Sequence, residues 1–565
     1  MAASNATKDN RLMPVIIDEL ARDDPNRPWA SIPRNDNDLS QGYEDISYEV
    51  LANAINKLAW IIDSSIEKST AFETIAYFGA SDLRYPMMQM AACKTGRVVF
   101  FSSSLNSLPV HVSLMKRLDC KGLFHSTGVQ VDDILAGHPM ARVRVPDLDD
   151  LLDLNDRAEN YPYTKTYEEA AFDPYVCIHT SGTTGTPKPV LFNHAIMHTT
   201  FDQVLLPDVD GRPHVTGHFN PGLGTRVLLP VSPHHLSSAM LGTLLSFLGG
   251  GVLVLPYRNR DLTLNDPILD IITYSKVTVA GLVPYIMEAV ARKPNPGDHI
   301  KQFKSVFYGG GELSVLARET WAKYTSIQNL WGATELGFPP ELQSDPEDHA
   351  YVYFDMEHSG IEFREVESDD HADNETVKVY ESVLTWTPKS APYSGHFTRE
   401  SSQNKSGPPY PDQHIGDLWT PHPDPKKARY AWRFFGRKDD VITLSSGTNV
   451  HTGNIERALR THSLVANALV IGSKRLQPLA LVELVPEADP DAISEIWESV
   501  LVPLNMSSQS QSRVARTHVL VVPTAGLVRT VKGSISKAKS ESKFAKEIEA
   551  VYQKFGDAYQ SHGRE

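Results

Sequence analysis

The sequence predicts an α/β protein in two parts: a large N-terminal core over residues 1–435, built from parallel-type sheets and helices, and a small α+β unit over residues 436–565. Three observations carry this reading. The first half alternates helix-like segments with short runs rich in β-branched and aromatic residues, the grammar of βα units. A chain of 565 residues, 41% of them hydrophobic, has enough apolar surface for more than one core. Finally, the composition changes twice toward the C-terminus, which marks a boundary.

In chain order, residues 70–79 (TAFETIAYFG) read as a strand, residues 83–96 (LRYPMMQMAACKTG) as a helix and residues 97–102 (RVVFFS) as the next strand. The most apolar stretch, Met240 to Pro256, is interrupted by Gly249, Gly250 and Gly251. It falls short of the roughly 20 residues of a membrane span, so a buried helix, a glycine turn and a strand are expected. The segment 276–284 (KVTVAGLVP) is a strand leading to a helix opened by Pro284, and 305–313 (SVFYGGGEL) is a strand running into a glycine turn. From about Ser390 to Pro425 the chain turns to Ser, Pro, Gly and charge, the composition of loop-rich surface. Beyond Gly436, residues 441–462 read as a strand pair entering a helix, followed by strands at 467–472 and 479–485.

The formal net charge of -15 argues against a nucleic-acid or anionic-membrane binder, because phosphate-rich partners recruit basic surfaces. Small molecules or proteins are the expected partners. Cys93, Cys120 and Cys177 are too far apart for a CxxC metal or redox pair, which fits a reducing compartment. The N-terminus lacks the apolar run of a signal peptide and the final SHGRE matches no common targeting tripeptide, so a cytoplasmic protein is expected.

The chemistry starts at Thr180-Ser181-Gly182-Thr183-Thr184-Gly185-Thr186-Pro187-Lys188, directly after a strand-like run from Tyr175 to Ile178. Glycines let the backbone turn its N–H groups toward a polyphosphate, and the hydroxyls and Lys188 add donors and positive charge. The string fits neither GxxxxGK[ST] nor GxGxxG, so the P-loop NTPase and Rossmann readings both fail, and a phosphate loop of another kind or a flexible Ser/Thr/Gly linker remains. It resembles the phosphate-binding signature of the ANL superfamily: acyl-CoA synthetases, adenylation domains and luciferases.

Other signatures of that family follow in order. Trp331-Gly332-Ala333-Thr334-Glu335 resembles its aromatic-Gly-x-Thr-Glu motif, which implies that Thr334 contacts the AMP phosphate and Glu335 holds Mg2+. Ile415-Gly416-Asp417-Leu418 resembles the GDL motif, whose aspartate accepts from the ribose hydroxyls. Gly436-Arg437-Lys438-Asp439-Asp440 resembles GRxDD, which implies a ribose contact for Arg437 and an interdomain hinge at Asp439. The family's C-terminal lysine position holds Ser534, and Lys532, two residues earlier, resembles the arrangement of fungal synthetase-like enzymes. Either Lys532 takes the catalytic role from a shifted position or it is a surface lysine.

The resemblance is closest to the adenylation domains of fungal nonribosomal-peptide-synthetase-like enzymes of the carboxylic acid reductase type. It implies ATP and Mg2+ as cofactors, formation of acyl-AMP with release of pyrophosphate, a small domain that rotates at the hinge, and transfer to a carrier-protein phosphopantetheine. A CoA or amide ligase of the same fold and a non-catalytic ATP-binding scaffold are the alternatives. By resemblance, the catalytic set is Lys532, Glu335, Thr334 and Lys188, and the nucleotide site draws on Thr180 to Gly185, Lys188, Gly310, Trp331 to Thr334, Asp417 and Arg437. The substrate pocket would be lined by His235, Ala280, Gly281, Tyr308, Gly309, Gly310 and Trp331.

Where amino-acid activators carry an aspartate, the segment Ser232-Pro233-His234-His235-Leu236-Ser237-Ser238 resembles the PxxHxxG pattern of aryl and acyl ligases, with His235 as the gate. A carboxylic acid without a free α-amino group is therefore expected. Adjacent histidines diverge and have no further ligands in sequence, so a metal reading fails there. His194 and His198 are expected to be structural. No carrier, reductase or thioesterase pattern follows the last motif, so the chain is either an excised first domain or a standalone ligase.

Overall fold

The computed structural model describes residues 11–104, 106–180, 187–218, 222–262, 266–311, 313–366, 371–372, 375–376, 378–403, 407–438, 440–445, 449–486, 488–507, 513–529 and 535–555. Two mostly parallel sheets dominate. The first runs Ala141–Arg144, Gly122–His125, Thr74–Phe78, Val98–Phe101, Pro174–His179, Pro189–Asn193, parallel up to its final antiparallel pair. That closing pair is a hairpin, and the segment 180–188 joins its strands. The second sheet runs Ser326–Asn329, Ser305–Tyr308, Val279–Leu282, Arg226–Leu228, Val252–Val254, Pro28–Pro33, Tyr43–Ser47, parallel except for the last pair.

Helices Tyr48–Ser65 and Arg84–Lys94 fill the space between these sheets. Their inward faces, including Leu51, Ile55, Leu58, Met87 and Ala91, join Trp29, Tyr77 and Phe101 in one core. Ser47 caps the first helix by accepting from the Val50 N–H. Pro284 opens the helix Pro284–Ala291, where a missing N–H costs nothing. A second core, around Trp321, Tyr257, Met287 and Tyr308, packs on the other face of the seven-stranded sheet.

The stretch 237–256 holds two π-helical segments, Ser237–Gly242 and Leu244–Leu248, then a turn and the strand Val252–Val254. Among the described residues no helix is long and apolar enough to cross a membrane.

Two features differ from the sequence reading. A six-stranded antiparallel sheet, Glu341–Leu342, Val352–Phe354, Ala431–Arg437, Gln413–Pro421, Val379–Leu384, Ile361–Val366, stands beside the parallel ones. The segment expected to be loop-rich contributes to it: residues 390–425 hold the helix Gly395–Gln403 and the long strand Gln413–Pro421. That strand is central in its sheet, and ladder pairing on both sides outweighs its poor alternation of apolar and polar residues. The C-terminal part has the expected strand pair, Val441–Thr443 with Asn449–His451, and the helix Thr452–Arg460. A three-stranded sheet of Val465–Ile471, Leu479–Leu484 and Val519–Val522 follows, with its own apolar cores.

Candidate active site

The strand Pro174–His179 delivers Thr180 to the mouth of the hairpin. Thr180 N–H donates to Lys188 O at 3.0 Å and Thr180 Oγ1 accepts from Lys188 N–H at 3.1 Å, so the two residues are tied together at the end of the hairpin strands. Lys188 itself is exposed. Ser181, Gly182, Thr183, Thr184 and Gly185 lie outside the described residues, as do Asp439 and Lys532.

A residue that sequence reasoning passed over fixes Thr180. His179 Nε2 accepts from the Ser103 backbone N–H at 2.9 Å, which leaves the proton on Nδ1 to donate to Thr180 O at 2.8 Å. Burial lowers its pKa, in keeping with this neutral tautomer. Its ring stacks on that of His234, with centroids 6.5 Å apart and planes 7° apart. His234 is buried, its pKa pushed down to about 3 by desolvation. His235, the expected gate, is half-buried beside it, with ring centroids 5.0 Å apart.

Residues of three distant motifs meet on the antiparallel sheet. Trp331 Nε1 donates to Asp417 Oδ2 at 2.8 Å, and Arg437 Nη1 donates to Asp417 Oδ1 at 2.8 Å. Asp417 and Arg437 are directly paired across neighbouring strands, which explains how residues 20 positions apart share one carboxylate. Trp331 also packs edge-on against Phe354 and Trp419. Gly332 could be no other residue without rearrangement, because an added Cβ would sit 2.6 Å from Gly337 O. Residues 333–337 then form a tight turn, with Gly337 N–H donating to Ala333 O at 2.9 Å, and it presents Thr334 and an exposed Glu335.

The remaining predicted pocket residues divide by sheet face. In the paired register Ala280↔Val306, Gly281↔Phe307, Leu282↔Tyr308, the side chains of Ala280 and Tyr308 point into the second core. Tyr308 spends its hydroxyl on His349 O at 2.9 Å. At Gly281 the space above the missing side chain is taken by the Phe307 ring, 2.2 Å from where a Cβ would be. Strand alternation thus turns the Ala280 and Tyr308 side chains into the second core and Gly281 toward Phe307 on the opposite face. Gly309 and Gly310 occupy the turn beyond the strand, where backbone is accessible.

A cavity of about 300 Å³ lies instead on the other side of the gate segment. Ser232, Pro233, Gln89, Thr243, Tyr285 and, from the C-terminal part, Arg529 are among its walls, and none of the seven predicted pocket residues is. Among the described residues one group of three acidic side chains, Asp345, Glu347 and Asp348, has metal-ligand proximity. Lys427 pairs with all three and Arg212 with Asp345, so two cations already offset most of the group's charge.

Beneath Trp331 lies a further carboxyl absent from the sequence reading. Glu341 is 2% exposed; Oε1 accepts from Trp331 N–H at 3.0 Å and Oε2 has no hydrogen-bond partner among the described residues. Burial raises its pKa well above the usual carboxylate range. The folded state thus holds a proton that the unfolded chain releases near pH 4.3, and stability falls as pH rises from there toward the folded pKa. Glu341→Gln removes this loss: its melting temperature should match wild type near pH 4.5 and exceed it near pH 7.5, by about 1 °C for each 1 kcal/mol regained in a core of this size. Parallel melting curves with the same offset at both pH values would show that Glu341 is ionised when folded.

Residues 19–352 match the family "AMP-binding enzyme" and residues 439–556 match "AMP-binding enzyme C-terminal domain". The chain belongs to the AMP-binding enzymes, the ANL class of adenylate-forming ligases. Within that class it is similar to fungal reductase and synthetase-like proteins. A carboxylic acid reductase of Neurospora crassa is 28% identical over 97% of this chain and 51% of its own length. The isocyanide synthase-NRPS hybrid crmA of Aspergillus fumigatus is 27% identical over 97% of this chain and 34% of its own. The adenylate-forming reductase Nps9 of Serpula lacrymans is 26% identical over 94% of this chain and 48% of its own. The chain thus spans about half the length of the Neurospora and Serpula proteins. Among solved structures, ATP-bound MatB from Rhodopseudomonas palustris superposes with a TM-score of 0.69 at 15% identity, covering 96% of this chain and 100% of that one. The anthranilate CoA ligase AuaEII does so at 0.67 and 16% identity, covering 96% and 98%, so the fold is shared.

Proposed function

We propose that this chain uses Mg-ATP to activate a carboxylic acid without a free α-amino group as its acyl-AMP, and that the acyl group then passes to a phosphopantetheine thiol of a carrier protein. The observation that carries the reading is the convergence of Trp331 and Arg437 on the Asp417 carboxylate beside the turn bearing Thr334 and Glu335. A carboxylate held at 2.8 Å by two donors is preorganised to accept the ribose hydroxyls without reorienting. Thr180 and Lys188 set the phosphate loop, and Thr334 is a donor for the α-phosphate. The acid carboxylate and the α-phosphate are both anions, so donors and positive charge must offset their repulsion as they meet.

Glu335 suits Mg2+: its carboxylate is exposed and no ion pair among the described residues claims it. Bound magnesium would supply positive charge to the triphosphate oxygens. Glu335→Gln should keep the fold while raising the magnesium concentration for half-maximal adenylation by about tenfold, since a charge-assisted contact is worth ~1.5–3 kcal/mol. An unchanged magnesium titration would remove Glu335 from this role.

The division at 435/436, the hinge at Asp439 and the catalytic role of Lys532 belong to the same proposal, resting on the motif resemblance. Incubation with MgATP and a panel of aryl, keto and aliphatic acids, followed by mass spectrometry of the quenched mixture, tests it directly. An acyl-AMP with at least one acid supports the reading, and adding a phosphopantetheinylated carrier, CoA or an amine in separate arms identifies the acceptor. ATP binding with no adenylate from any acid would favour a non-catalytic protein.

A further inference from the structure

Arg399 sits on the helix Gly395–Gln403, in the polar segment that no motif covers. Its Nε donates to Leu191 O at 3.3 Å, on the second strand of the phosphate hairpin, and its Nη1 donates to Glu335 O at 2.9 Å. The guanidinium lies 5.8 Å from the centre of the Phe192 ring. Nη2 is buried, with no hydrogen-bond partner among the described residues. An arginine stays charged, and a charge removed from water needs a counter-charge or a full set of acceptors. Here two backbone carbonyls stand in for an anion, and Glu335 and Glu400 act only at longer range. Burial accordingly depresses its basicity.

The two carbonyls belong to the segments that must hold one polyphosphate between them. Leu191 lies three residues past Lys188 on the hairpin, and Glu335 ends the Trp-Gly-Ala-Thr-Glu turn. These segments are separated by 144 residues in sequence, and Arg399 is hydrogen-bonded to both. We infer that Arg399 is a positioning residue for the polyphosphate end of the site: it fixes the Glu335 turn against the phosphate hairpin, and its incompletely compensated charge favours MgATP over AMP. The inference rests on the proposed adenylation only in taking MgATP as the ligand.

The test compares wild type, Arg399→Met and Arg399→Lys in the full chain, with equilibrium titrations of MgATP and of AMP followed by intrinsic tryptophan fluorescence, alongside pyrophosphate exchange. Loss of the charge and both contacts should weaken MgATP binding about tenfold and leave AMP binding within about twofold, because contacts to a charged donor are among the stronger hydrogen bonds. The KM for the acid should not move, and Arg399→Lys, which keeps the charge but not the fork, should recover part of the MgATP affinity. Equal loss for MgATP and AMP, or no loss for either, overturns the inference. Should Arg399→Met not fold, a folded Arg399→Lys with wild-type MgATP affinity overturns it as well. Wild-type protein that binds MgATP but shows no exchange would sink the adenylation reading and leave the titrations to judge Arg399.

Discussion

Asp417→Ala is expected to weaken ATP binding by roughly a hundredfold or more. Hydrogen bonds to a charged acceptor contribute about 1.5–3 kcal/mol each, and two ribose hydroxyls would lose theirs together, while every 1.4 kcal/mol is tenfold in affinity. The substitution also strips Trp331 Nε1 and Arg437 Nη1 of the acceptor that holds both at 2.8 Å. The indole, packed edge-on to Phe354 and Trp419, keeps its place, so the fold should survive and the loss should be local. A melting curve beside the ATP titration separates the two effects. Asp417→Asn, which keeps one carbonyl acceptor but no charge, should fall between. Wild-type affinity in the Ala variant would remove Asp417 from the nucleotide site.

The second large effect concerns the substrate. A carboxylic acid should be activated about a hundredfold better than its α-amino analogue, because an uncompensated buried ammonium costs on the order of 3 kcal/mol. The segment 232–238 carries His234, held neutral by burial, and His235 beside it, and neither imidazole can pair with an ammonium as a carboxylate would. Glu341 is buried, which favours its neutral form, and it accepts from Trp331 N–H. Matched pairs, such as a phenylpropanoid or keto acid against the corresponding amino acid, give the ratio of kcat/KM directly. An amino acid that wins would require a carboxylate in the pocket and would contradict this reading.

Much of this site is legible in the sequence because its chemistry is carried by contiguous strings. The run from Thr180 to Lys188, the Trp331 to Glu335 turn and the two short motifs at Asp417 and Arg437 each announce a backbone shape and a residue type at once. The parallel sheets are legible for a similar reason, since their buried strands are short apolar runs such as VVFF. What depends on pairing between distant segments is not. The strand carrying Asp417 reads as loop because Gly416 and the prolines around it mask a central antiparallel strand. Ala280 and Tyr308 sit near the site in sequence order, yet the alternation of a strand turns their side chains into the opposite core. His179, Glu341 and Arg399 act through backbone groups, through contacts 76, 10 and 64 residues away, and no local string marks such a partner.

The central claim is that the convergent carboxylate, indole and guanidinium serve an acid-activating nucleotide site. Exchange of labelled pyrophosphate into ATP, measured with and without a panel of carboxylic acids, tests it most directly. The account predicts exchange that requires an acid and magnesium and that is lost in Asp417→Ala. Exchange independent of any acid, or none with any acid in a protein that binds ATP tightly, would contradict it.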